Sequence, residues 1–166
     1  TTFDGFASVI RLCRKNGIPL RVLGRGSNLL VRDGGIRGMV LHPSKGEFAE
    51  VRVEGDRIIA GAGVRYKRLT SAAREAGLGG FEWMEGIPGS VGGGLRMNAG
   101  AMGWSTFEQV VSVRLVDLDG NISEKSAEDF EVHYRNVPEL QECYVLSVVF
   151  RGEPTESEEI DSKISL

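Results

Sequence analysis

Two glycine-rich bends far apart in the chain, Gly24-Arg25-Gly26-Ser27-Asn28 and Gly86-Ile87-Pro88-Gly89-Ser90-Val91-Gly92-Gly93-Gly94, limit what it can fold into more than any other feature. The chain has 23 glycines against 5 prolines, and the glycines cluster instead of spreading as they do in a flexible linker. A backbone that curls tightly, with no Cβ in the way, can hold a phosphate group by main-chain N–H donors alone. The first bend meets that need, and Ser27 and Asn28 add polar side chains. It is equally readable as a tight turn closed by Ser and Asn hydrogen bonds. The second bend combines a rigid Ile-Pro with closely spaced glycines and small apolar residues, and Asn98-Ala99-Gly100-Ala101 and Gly103 follow at short range. Such a stretch suits a backbone lying against a large flat ligand better than a plain connector.

Neither bend is a Rossmann fingerprint. That signature places a third glycine at the head of a crossover helix, whereas Leu29-Leu30-Val31 reads as continuing strand. Gly61-Ala62-Gly63 fails the same test, because Tyr66 stands where the third glycine belongs. No Walker sequence is present. Two backbone cradles, one in each half, instead suit a ligand with a pyrophosphate in its middle and ring systems at both ends. FAD has that form.

Around the bends, apolar residues recur at helical spacing from Phe6 to Asn16, with Gly17 as the stop. Short strands follow at Leu20–Leu23, Leu29–Val31 and Met39–Leu41. Alternation at Ala49, Val51 and Val53, the Gly55-Asp56 turn and Arg57-Ile58-Ile59 predict a hairpin. Val64–Ala76 predicts a helix ended by Gly77. Gly79–Gly103 lacks regular periodicity and reads as one long functional loop. A second hairpin, Val110–Leu118 with Ile122, turns at Asp119-Gly120, Ala127–Phe130 is a helical turn, and Tyr144–Phe150 is a strongly apolar strand. The tail from Gly152 to Leu166 is acidic, then amphipathic. The expected fold class is α+β, with a small lobe over 1–43, a strand-rich lobe over 44–151, and 152–166 as the start of a linker or helix toward a further domain.

A chain of 166 residues, 41% hydrophobic and 26% charged, is in the ordinary globular range. Its net charge of -3 offers no extended basic surface, which speaks against nucleic acid as a partner. Cys13 and Cys143 lack the spacing of metal sites or disulfide frameworks, and His42 and His133 stand without a second ligand, so no metal is expected. No apolar run approaches the roughly 20 residues that span a bilayer, and the first residues lack a signal pattern. The expectation is a cytoplasmic monomer with no membrane association.

Gly24 to Asp33, Gly86 to Gly103 and Tyr134-Arg135, in this order and spacing, resemble the UDP-N-acetylenolpyruvoylglucosamine reductase family. The resemblance extends from Leu20 to Phe150 and implies an FAD-binding fold of the vanillyl-alcohol-oxidase type, made of two α+β subdomains around the cofactor. It implies that Gly24, Arg25, Gly26, Ser27, Asn28 and Leu29 lie along the FAD pyrophosphate. Gly86, Ile87, Pro88, Gly89, Ser90, Gly92 and Gly93, with Asn98, Ala99, Gly100 and Gly103, would wrap the cofactor from the other lobe. Arg135 would be the active-site arginine, facing the charge that builds on a substrate carboxylate. On residue chemistry alone, Arg135 is also readable as a surface partner of Glu131 or Glu139.

The implied reaction passes a hydride from NADPH through FAD to UDP-N-acetylglucosamine enolpyruvate, giving UDP-N-acetylmuramate for peptidoglycan, with consequences for wall biogenesis, cell shape, cell cycle and division. Two departures qualify the resemblance. Where the family usually has a serine two places after the arginine, this chain has Val137. The family's C-terminal substrate domain and its first strands have no counterpart here, so the expectation includes a chain that binds FAD without completing turnover. The alternatives are a non-catalytic FAD-binding module and another flavoprotein oxidoreductase of the same fold. Trp83 and Trp104 flank the second bend and are readable as stacking or as packing groups.

Overall fold

A computed structural model describes residues 1–164 and shows an α+β chain. Helix α1, Phe3–Lys15, buries Phe6, Ala7, Ile10 and Cys13 on one face. It starts before Phe6 because Thr2 caps it, its hydroxyl accepting the Gly5 N–H at 3.1 Å. Strand β1, Leu20–Val22, pairs in parallel with β2, Met39–Leu41, in the register Leu20↔Met39 to Val22↔Leu41. Leu29-Leu30-Val31 is not the expected strand: the three residues are irregular, and Leu30 is 95% exposed. No neighbouring strand offers them a ladder, and the Leu29 N–H turns back to the Gly26 carbonyl at 3.3 Å.

The main sheet begins with β3, Val51–Glu54, and β4, Arg57–Gly61, joined at Gly55 with φ +62°. Ala49 belongs to a preceding 3-10 turn, Gly46–Ala49, that buries Phe48. Helix α2, Tyr66–Glu75, leads into β5, Leu78–Gly79. The stretch expected to be one loop carries a short helix, α3, Val91–Arg96, a 3-10 turn, Glu82–Met84, and the miniature pair β6, Gly100–Ala101, and β7, Trp104–Ser105. Then come β8, Val110–Asp117, β9, Ile122–Ser126, and β10, Cys143–Arg151. The antiparallel order is β3-β4-β10-β8-β9.

Tertiary fit overrides propensity in α3. A Cβ built on Gly94 would stand 2.1 Å from the Tyr66 hydroxyl oxygen, and one on Gly92 would stand 2.9 Å from the Ala62 Cβ. Gly92 and Gly94 therefore let α3 press onto the residue after β4 and onto α2, at a helix-propensity cost of roughly 1 kcal/mol each.

Two clusters of buried residues flank the sheet. The larger packs α2 and α3 against Ile58, Ala60, Val113, Leu115, Val148 and Phe150. The smaller joins Phe6, Ala7 and Ile10 of α1 to Phe48, Ala62, Val116 and Leu146, with Leu20, Val22 and Leu41 at its margin. Leu146 reaches that cluster because the β8–β10 register slips between Val145 and Ser147, so one extra residue re-aims the strand. Helix α1 and the β1–β2 pair are thus seated on the main sheet through shared apolar burial. Polar ties at the β8–β9 turn add to it, with Arg11 Nη1 donating to the Gly120 carbonyl at 2.6 Å and Arg14 pairing with Asp119 at 2.8 Å.

The segment after residue 151 folds back on β5 and α2. Strand β11, Glu153–Pro154, pairs with β5, and helix α4, Ser157–Ile164, buries Ile160 and binds Arg74 through both oxygens of Asp161 at 2.5 and 2.8 Å. The final two residues of the tail, Ser165 and Leu166, lie outside the described residues.

Candidate functional site: a cleft between two backbone bends

Between β1 and β2 the chain pairs with no strand among the described residues, and residues 25–28 form an exposed bend with Gly24 half-buried at its root. Among the described residues, no hydrogen bond within the chain takes up the five successive main-chain N–H groups of Gly24 to Asn28. Gly26, at φ +73°, supplies a left-handed step within the run. Successive free donors around such a step are the kind of backbone that binds anions.

The second bend is fixed from below. The Ile87 N–H bonds the Met84 carbonyl at 3.0 Å, the Val91 N–H bonds Val64 at 2.8 Å and the Gly92 N–H bonds Ala62 at 2.8 Å. The N–H groups of Gly89 and Ser90 are left without a partner among the described residues. Further along, Tyr66 is fully buried, and burial pushes its phenol well above the ordinary tyrosine range. Its hydroxyl lies 2.9 Å from that of Thr106, which itself donates to the Ala99 carbonyl at 2.7 Å. Thr106 has a single hydroxyl proton, so Tyr66 is the donor and the chain Tyr66–Thr106–Ala99 pins the loop after α3.

The two bends meet. Ser27 Oγ donates to the Pro88 carbonyl at 3.4 Å, and a Cβ on Gly24 would stand 2.8 Å from Ser90 Oγ. Between them opens a cavity of about 910 Å³, near the upper end of the sizes that hold cofactors. Gly24, Arg25, Gly26, Ser27, Asn28 and Leu29 all line it, as do Gly86, Ile87, Pro88, Gly89, Ser90, Gly93, Ala99, Gly100 and Arg135. Gly92 does not, because it faces Ala62; Asn98 does not, because its Oδ1 accepts the Phe107 N–H at 3.2 Å; Gly103 lies outside as well.

Several lining residues carried no sequence signal of their own. Arg96 and Met97 belong to the unforeseen α3 region, Met102 follows it, and Lys163 comes from α4. Glu82 and Glu85 line the cavity too, Glu85 paired with Lys67 at 3.0 Å. Arg25, Arg96, Arg135 and Lys163 outnumber these carboxylates at the cavity wall, which suits an anionic occupant. Trp83 is buried, lines the cavity and donates its indole N–H to the Gly80 carbonyl at 3.0 Å; Trp104 is half exposed and lies outside.

Arg135 sits in a two-residue turn closed by His133 and Asn136, whose main chains exchange hydrogen bonds of 2.9 and 3.3 Å. Its φ of +56° is one of only three positive values at non-glycine residues among those described, with Asn98 and Met102. All three fall in or beside the cavity region, and strained backbone of this kind concentrates at binding and catalytic sites. Among the described residues, neither Glu131 nor Glu139 pairs with Arg135: Glu131 binds His133 at 3.0 Å, and Glu139 accepts the Glu131 N–H at 2.9 Å. The latter bond holds the Glu139 carboxyl below the usual range. Val137, where a serine was expected, is fully buried and anchors the turn by packing.

The histidines and cysteines have structural surroundings. His42 Nδ1 lies 2.8 Å from the Leu23 carbonyl, Cys13 is buried in α1, and Cys143 donates to the Glu139 carbonyl at 3.2 Å, its thiol pushed up by burial. Among the described residues there is no cluster of His, Cys, Asp and Glu able to hold a metal, and no helix is long and apolar enough to cross a membrane.

Residues 1–126 match the family model described as the FAD binding domain, and the chain belongs to that family. Its fold is that of the vanillyl-alcohol-oxidase-type flavoproteins. Wild-type Phl p 4.0202, a glucose dehydrogenase, superposes with a TM-score of 0.69 at 18% identity, covering 95% of this chain and 34% of that one. That likeness shows the fold alone.

The narrower kinship is to UDP-N-acetylenolpyruvoylglucosamine reductases. The one from Azorhizobium caulinodans is 43% identical over 147 residues, which is 89% of this chain and 47% of the relative. That from Clostridium botulinum strain Hall is 40% identical over 166 residues, 99% of this chain and 53% of the relative. The crystal structure of the Thermus caldophilus enzyme has a TM-score of 0.80 at 33% identity, covering 93% of this chain and 56% of that one. The chain spans about half the length of the curated relatives it matches.

Proposed function

We propose that this chain is the FAD-holding part of a cytoplasmic reductase that converts UDP-N-acetylglucosamine enolpyruvate to UDP-N-acetylmuramate with NADPH, a step of peptidoglycan precursor synthesis that wall growth and division depend on. The observation that carries the reading is the meeting, in one large cleft that Arg135 also lines, of two runs of main-chain N–H groups without a partner among the described residues, Gly24–Asn28 and Gly89–Ser90. The relatives' names supply the substrate. The cleft fits the cofactor in kind: glycines where a Cβ would fill the cradle, donors for a diphosphate, and volume for two ring systems.

FAD, when bound, supplies hydride acceptance from NADPH and hydride delivery to the enolpyruvyl double bond. The chain's own residues do the remaining work. Gly24 to Asn28 and Gly89 to Ser90 would hold the diphosphate by main-chain N–H groups. Ile87, Ala99 and Gly100, which line the cleft, would supply apolar and backbone surface for a flat ring. Arg135, with which no carboxylate pairs among the described residues, would face the substrate carboxylate and stabilise negative charge that builds there as the double bond is reduced.

Consumption of NADPH with and without the enolpyruvyl sugar nucleotide, in the natural protein that contains this chain, tests the reading. Substrate-dependent turnover is expected, together with a loss on the order of 10²–10³-fold for Arg135→Ala at unchanged FAD content. FAD binding with no substrate-dependent turnover would make the chain a flavin-binding module and remove the reductase assignment. Full activity in Arg135→Ala would remove the role given to that residue.

A further inference from the structure

Resting on that reading of Arg135, we propose that Arg96 is a positioning residue, coupling the second cofactor bend to the turn that carries Arg135. Arg96 ends α3, the helix that grows directly out of Ser90 and contains Gly93 of the cleft wall. Its guanidinium reaches across to the segment after the Arg135 turn: Nη1 donates to the Leu140 carbonyl at 2.5 Å and Nη2 to Gln141 Oε1 at 2.6 Å. Gln141 Nε2 in turn donates to Asn136 Oδ1 at 3.4 Å, and Asn136 is the residue that closes the turn against His133.

The physical case is one of unequal support. Residues 133–136 are all exposed, so packing does not set the geometry of the turn. Val137 and Leu140, fully and almost fully buried, fix where the segment leaves the core. They do not fix the direction in which an exposed turn with Arg135 at φ +56° projects. On its His133 side the turn is held by the Glu131 pair and by Glu139. On its Asn136 side the Arg96–Gln141 relay is the tie that leads back to the cofactor bend. A guanidinium presents its donors in a rigid planar fork, so seating two acceptors at once fixes direction as well as distance. A ligand that settles α3 therefore also settles the Arg135 turn, and the charge-stabilising group is aligned once the cofactor is in place.

Gln141 does not line the cleft, so it tests the relay without touching the binding machinery. The measurement is hydrogen exchange at the Asn136 amide, which donates to the His133 carbonyl across the turn. It is made on the wild-type chain, Arg96→Lys, Gln141→Leu and Gln141→Glu, each with and without saturating FAD, with amides of β8 as the folding control. Gln141→Glu keeps the acceptor for Arg96 and loses the donor to Asn136, separating the two links.

In ligand-free protein, Gln141→Leu is expected to speed Asn136 exchange at least threefold while β8 is unchanged. In wild type, FAD slows it by a similar factor, and that slowing disappears in Gln141→Leu and Gln141→Glu although both still bind FAD. Asn136 exchange indifferent to the Gln141 variants, or an FAD effect equal in wild type and variants, overturns the relay. Failure of the wild-type chain to bind FAD sinks the flavin reading instead, and the ligand-free comparison then still decides whether Gln141 holds the turn.

Discussion

The two bends of the cleft are built on opposite plans. Arg25–Leu29 stands exposed beyond the end of a two-stranded sheet, with Gly24 half-buried at its root, and apart from one turn bond and the long Ser27–Pro88 contact it is held by little. Gly86–Ala101 is seated on the core, with main-chain bonds to Ala62, Val64 and Met84 and the buried relay from Tyr66 through Thr106 to Ala99. The second bend is preorganised, whereas the first has donors waiting for an acceptor. Glycine accordingly serves different ends: at Gly94 and Gly92 it permits close packing, at Gly26 it permits a left-handed turn in open space.

Substitutions can break that contrast. The largest effect is expected from Gly94→Ala. The new methyl gains about 1 kcal/mol of helix propensity but collides with the fully buried Tyr66 ring, and overpacking costs about 1–3 kcal/mol or more. The collision wins, because the Tyr66 ring is fully buried and its hydroxyl is tied to Thr106, and chemical denaturation should show a net loss of about 2 kcal/mol. Tyr66→Phe removes the donor to Thr106 without changing volume, and a loss of about 1 kcal/mol is expected. Flavin affinity should fall with it, since Ala99 lines the cleft.

Gly26→Ala is the counterpart in the first bend. Nothing lies within 4 Å of the added Cβ, so the only cost is the left-handed φ of +73°, about 1 kcal/mol. Because the bend is exposed and loosely held, it can relax. Denaturation should barely register the change while FAD titration shows a loss of up to about tenfold. Equal stability losses in Gly26→Ala and Gly94→Ala would erase the distinction between the bends.

The smallest effect concerns the seating of the first lobe. Asp117 accepts the Asn121 N–H and side-chain amide at 2.8 and 2.9 Å, which with the Asp119 N–H hold its carboxyl below the ordinary value. A carboxyl depressed on folding stabilises above its unfolded pKa and loses that contribution as pH falls through its folded pKa. The same turn carries Asp119 and Gly120, the partners of Arg14 and Arg11. Below about pH 4 the wild-type melting temperature should therefore fall, and Asp117→Asn should flatten that fall slightly.

Much of this was legible in the sequence where local chemistry decides. Gly17 ends α1 as expected, although the apolar spacing did not reveal the Thr2 cap that starts it at Phe3; Gly55 and Gly120 turn their hairpins with positive φ, and both glycine bends stood out. The FAD-binding fold and the reductase kinship followed from three motifs in order. What stayed hidden depends on distant partners. Val91–Arg96 is helical against its own glycine content, packed where Ala62 and Tyr66 leave no room for a Cβ at Gly92 and Gly94, a fit that no local propensity contains. Leu29–Val31 has strand composition but no neighbour to pair with. Arg96 and Lys163 carry no pattern until α3 and α4 bring them to one cleft.

The central claim is that both bends close on a single diphosphate, and calorimetric titration of the chain with FAD and with FMN tests it most directly. FMN keeps the flavin ring and one phosphate but lacks the second phosphate and the adenosine. FAD should bind at least tenfold more tightly, a difference of about 1.4 kcal/mol or more. Equal affinities for the two, or no binding of either, would contradict the account.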